Sequence, residues 1–191
     1  MATVVPKRLA GALVATGVVL AIAAGAAADE PTPHRPAIHF AAGVPDDLRA
    51  LAAGTWRLFL DAIPARATCA ADVTLAGAWH LANRALYDPD RRLVTVRIPA
   101  TAADLRGSLV HEFAHHFEFT CPTQRLLRPA FLAAQGLSRR TPWRGGGTWA
   151  RIPSEQFAEA MVQFVLGRPS LPLVVVRPGA LEVLRRWARG G

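Results

Sequence analysis

The stretch SLVHEFAHHFEFTC, residues 108–121, sets His111, Glu112 and His115 in the order H-E-x-x-H. On a helix, residues four apart lie one above the other, so both imidazoles can reach one metal ion. Glu112 falls beside them, where its carboxylate is better placed to act on a water at the ion than to bind the ion. That is the chemistry of metal-assisted hydrolysis. By ordinary residue frequencies the pattern arises by chance in on the order of one such chain in a few hundred, so alone it decides little. A catalytic zinc takes three protein ligands and leaves the fourth position open, and the weight of the motif therefore rests on the third ligand.

A third histidine six residues past His115, as in metzincins, is excluded, because Cys121 stands there and Glu118 occupies the place of their glycine. Glu118 lies on the histidine face. Three ligands strung over two turns of one helix converge poorly on one ion, so Glu118 reads as a carboxylate behind a ligand or as an exposed group. Further on, PSEQFAEAMVQFVLG offers Glu155 and Glu159 four apart on one face, with Ser154 as a cap and Phe157, Met161 and Phe164 on another face. Two carboxylates on an otherwise apolar helix are costly to bury unless paired or bound to a cation.

Taken together, H-E-F-A-H at 111–115 and E-Q-F-A-E at 155–159 resemble the gluzincin metallopeptidases, above all the compact, lethal-factor-like ones, whose second motif runs E-x-F-A-E. The resemblance covers the chain from Thr95 to Leu166. It implies one zinc per chain held by His111, His115 and Glu155. It makes Glu112 the general base for peptide-bond hydrolysis by a water at the zinc, and Glu159 a carboxylate that steadies a ligand histidine. It also implies an α+β, zincin-like fold, with a small, mostly antiparallel sheet packed on the H-E-x-x-H helix and on a second ligand-bearing helix. One departure matters. These enzymes place an oxyanion-stabilising tyrosine seven residues before the third ligand, where this chain has Thr148 followed by Trp149; its only tyrosine is Tyr87. Arg151, His116, His80 or a backbone N–H are the remaining donors. Loss of such a donor costs on the order of a hundredfold or more in rate, so the alternative reading is a catalytically weak or inactive zincin-fold module that binds or inhibits.

The elements that must position these residues are legible in outline. PDDLRALAAGTWRLFLDAIP, residues 45–64, repeats Leu48, Leu51, Leu58 and Phe59 at helical spacing, with Asp46 and Asp47 at its start and Pro64 at its end. VTLAGAW and RALY read as short strands, and DPDRR as a turn. In LVTVRIP, Val94, Val96 and Ile98 alternate with Thr95 and Arg97, the second strand of a hairpin leading into the motif helix. An exposed edge there could hold an extended peptide. Thr101 is the expected N-cap of the motif helix, with Asp104 three residues on. SRRTPWRGGGTWARI, residues 138–152, with three consecutive glycines just upstream of Glu155, reads as a mobile rim or lid. The tail is a short apolar element followed by a basic packing helix.

The 191 residues suit one globular domain, 45–191, preceded by two other segments. Residues 1–28 carry Lys7 and Arg8, an uncharged apolar run and an Ala-rich end, the pattern of a cleaved export signal, or of a membrane anchor if uncleaved. Residues 29–44 form a Pro-rich linker. The protein is thus expected to be secreted or held in the cell envelope, monomeric, and without stable membrane association once the signal is removed. In that compartment Cys69 and Cys121 are expected to form a disulfide. Removing 1–28 takes two of the 22 cations and none of the 14 acids, leaving a formal charge of +6. The arginines are scattered without interleaved aromatics, which argues against a nucleic-acid partner and leaves a peptide or protein substrate.

Overall fold

The computed structural model describes residues 34–191; the expected signal segment and the start of the linker lie outside the described residues. In chain order the elements are β1 (Ile38–Phe40), α1 (Asp46–Ala62), β2 (Val73–Ala78), β3 (Ala85–Asp88), β4 (Leu93–Arg97), α2 (Ala102–Thr120), α3 (Gln124–Ala134), α4 (Pro153–Leu166) and α5 (Pro178–Ala188). The fold is α+β, and residues 38–40 of the expected linker (29–44) enter the sheet as β1.

The sheet has the order β1-β2-β4-β3. It is mixed, not mostly antiparallel: β1 pairs parallel with β2 and β2 parallel with β4, and only β3 and β4 run antiparallel. The expected β3–β4 hairpin forms, but its second strand docks on β2, which leaves β3 at the edge. Side-chain alternation reports which face a strand buries and is silent on strand direction. In β4 the alternation holds, with Val94 and Val96 fully buried and Arg97 exposed.

Helix α1 buries Leu48, Ala52, Trp56, Phe59 and Leu60, whereas Leu58, expected on this face, is 45% exposed because the buried stripe runs through its neighbours. Trp56 meets Phe113 edge-on at 4.8 Å, and Phe59 lies 6.1 Å from Phe117, so α1 packs on α2 through aromatic contacts. Thr101 caps α2: the Asp104 N–H donates to its hydroxyl oxygen at 3.2 Å, and the hydroxyl donates to the Asp104 carboxylate at 2.7 Å. At the other end, Cys121 is joined to Cys69 by a disulfide, with Cα atoms 5.0 Å apart. Helix α2 lies along β3 and β4 and packs against α1 and α4.

Helix α4 starts with Pro153 at its first position and Ile152 as N-cap, so Ser154 sits inside the first turn and does not cap. A proline is favoured there because its missing N–H would have no intrahelical partner. The basic tail forms α5, whose Leu184 and Trp187 are buried, Trp187 lying 5.5 Å from Phe117. Among the described residues no helix is long and apolar enough to cross a membrane.

Candidate metal centre

Helices α2 and α4 bring three side chains to one point. His111 Nε2 and His115 Nε2 are 3.2 Å apart, and Glu155 Oε2 lies 3.1 Å from the first and 3.5 Å from the second. The group His111, His115 and Glu155 could hold a metal ion, with all three ligand atoms within 4.8 Å of one another. The spacing fits. Ligand atoms about 2.1 Å from a tetrahedral ion stand roughly 3.4 Å from each other. The charge balance fits as well. Burial opposes a proton on His115, yet contacts with Glu118 and Glu155 outweigh it and raise its pKa to about 10. Burial pushes Glu155 up, but both histidines pull it down to about 2. Surroundings that hold an imidazole cationic in this way favour a positive charge at that point. His111 Nδ1 is buried without a hydrogen-bond partner among the described residues.

Glu112 is buried beside this group, and burial is the main cause of its raised pKa, with the two histidines pulling the other way. The backbone amide of Tyr87 on β3 also stands close enough to lower it. Glu118 turns out to be the carboxylate behind a ligand: its side chain is fully buried, with Oε2 3.4 Å from His115 Nδ1. Glu159, expected to steady a ligand histidine, is engaged elsewhere. It accepts from Ser170 N–H at 2.6 Å, Ser170 Oγ–H at 2.9 Å and Leu171 N–H at 3.1 Å. The residue one turn after Glu155 faces the segment that follows α4, and its charge is spent holding that segment in place.

The three-residue group lies in a cleft of about 660 Å³. One wall is β3 with Asn83 and Arg84; another is Arg144, Gly145, Trp149 and Ile152; a third is Arg168, Ser170 and Leu171. Trp149 lies over His111 with ring centroids 6.1 Å apart. Comparison with protein families, with curated proteins and with solved structures finds no match to this chain. The site is therefore read on its own geometry.

Of the oxyanion donors considered from the sequence, Arg151, His116 and His80 do not line the cleft. His116 is fully buried: its Nε2–H donates to the Ala71 carbonyl at 2.8 Å, so its Nδ1 accepts from the Tyr87 hydroxyl at 3.0 Å. That contact occupies the one tyrosine hydroxyl in the chain. Cleft-lining Arg144 and Arg168 were not singled out in the sequence, where single arginines look alike.

Proposed function

We propose that this protein is an exported zinc metallopeptidase of the gluzincin type that hydrolyses peptide bonds, with Glu112 as general base. The observation that carries the reading is the convergence of two imidazoles and a carboxylate from two helices on one point, next to a buried glutamate, in a cleft walled by a sheet edge that is unpaired among the described residues. Zinc, bound there by His111, His115 and Glu155, would supply a Lewis acid that polarises a carbonyl and acidifies a water.

The chain's own residues then divide the work. Arg97 N–H donates to Arg84 C=O, so by the alternation of an antiparallel ladder the peptide groups of Ala85 and Tyr87 point away from β4, that of Tyr87 with its N–H toward Glu112 and that of Ala85 toward the cleft. An extended substrate can add to that edge by main-chain hydrogen bonds. Leu86, Phe119 and Trp149, all partly exposed in the cleft, offer apolar contact to substrate side chains. Glu112, with its pKa raised by burial, is suited to take a proton from the attacking water and to return it to the leaving amine. The disulfide is compatible with export, since such bonds persist in oxidising compartments.

The test uses protein lacking residues 1–28. Elemental analysis should find one zinc per chain, lost in Glu155→Ala and retained in Glu159→Ala. Glu112→Gln should keep the zinc and lose on the order of a hundredfold or more in hydrolysis of a peptide mixture. Undiminished hydrolysis by that variant refutes the assignment of the base, and wild-type protein that takes up no zinc after reconstitution refutes the whole reading. Zinc without hydrolysis would instead mark a binding module.

A further inference from the structure

Besides walling the cleft, the 138–152 loop is fastened to the helices around the metal centre. Trp143 packs against Phe131 of α3 and Phe157 of α4, with ring centroids 5.8 and 6.0 Å away. Its carbonyl accepts from the Ser154 N–H at 3.0 Å, one residue before Glu155. The next residue, Arg144, sets its guanidinium 3.6 Å from the centroid of the Phe119 ring and forms a close ion pair with Glu118 Oε1. Two consecutive loop residues thus touch α2, α3 and α4 at once.

We propose that Arg144 is a positioning residue for the metal centre: it fastens the loop to Glu118 and, through Glu118, sets the orientation of the His115 ring. This rests on the metal-binding part of the reading above and not on peptide hydrolysis. A partner on Nδ1 fixes the ring angle of a histidine that ligates through Nε2. Here that partner is a carboxylate with no exposure of its own, and a buried carboxylate is stable in one place only when cations and hydrogen bonds hold it. Arg128 is the second cation, but it stands 3.7 Å from Glu118 and is tied through Nε to Gln124 at 2.9 Å and stacked over Trp143 at 4.8 Å. Arg144 makes the closer contact, an ion pair from one guanidinium nitrogen to Glu118 Oε1. It is also the only one of the two that lies on the loop and lines the cleft.

The experiment measures zinc affinity by competition with a chelator, and the visible absorption of the cobalt-loaded protein, for Arg144→Met, Glu118→Gln and the double variant. Arg140→Ala, an exposed change on the same loop, serves as control. Arg144→Met should weaken zinc binding about 10- to 100-fold and alter the cobalt spectrum. In the Glu118→Gln background it should cost almost nothing further, because the charge it serves is gone. Wild-type affinity and spectrum in Arg144→Met overturn the proposal, as does an equal loss in both backgrounds. If circular dichroism shows the methionine variant misfolded, Arg144→Gln, which keeps a polar head without the charge, takes its place, and wild-type affinity in that variant overturns the proposal. Failure of wild-type protein to bind zinc would be a different failure, that of the metal reading.

Discussion

His115 and His116 are neighbours in the chain that meet opposite surroundings. Consecutive residues on a helix point about 100° apart, so one imidazole joins the ligand group and the other enters the core between Tyr87 and Ala71. Burial lowers the pKa of His116 to about 4, against about 6.5 in an unfolded chain. Between those values the unfolded chain binds a proton that the folded chain refuses. This contribution to stability is therefore whole above pH 6.5 and is lost as pH falls toward 4, by on the order of 3 kcal/mol. Chemical denaturation at pH 7 and pH 4.5 should show the loss, and His116→Phe should flatten it; the same slope in both proteins would refute the role. Three adjacent letters, H-H-F, carry no sign of this division, which is set by what packs on each side of α2.

At the scale of elements, the segment after α4 forms one wall of the cleft, and Glu159 and Gly107 hold it in place. Glu159 binds Ser170 and Leu171 from within, and a Cβ built on Gly107 of α2 would stand 2.9 Å from the Ser170 Cβ. Helix and loop approach each other more closely than any side chain permits. Gly107→Ala must displace Ser170 from Glu159, and overpacking of this kind costs about 1–3 kcal/mol. A thermal melt should show the drop while zinc content stays that of the wild type; an unchanged melting temperature would mean that the wall yields freely. Helical spacing put Glu155 and Glu159 on the same side of α4, and so it does, but one turn along the axis separates the cleft from the returning chain. That difference depends on where residues 167–171 go, and no periodicity encodes it.

Over the whole molecule, the disulfide ties the turn before β2 to the end of the helix that carries both histidines, across a separation of 52 residues. Closing a loop of that size stabilises by about 4 kcal/mol in the chain-entropy picture. Reduction should then lower the melting temperature by roughly 10 °C, read by calorimetry with and without a thiol reductant; coincident transitions would show that the bond contributes little. What the sequence determined by itself was local or combinatorial. Helical spacing stacked His111 on His115, Thr101 marked the start of their helix, alternation assigned the buried face of β4, and two cysteines allowed one pairing. Each follows from residue chemistry within a turn or two, or from simple counting. The tertiary structure alone decided that β4 lies parallel to β2 with β3 left at the edge, that Glu118 and not Glu159 stands behind His115, that Tyr87 is spent on His116, and that Arg144 reaches Glu118. Those outcomes depend on contacts between residues far apart in the chain, where direction and distance arise only once the helices and the sheet have packed.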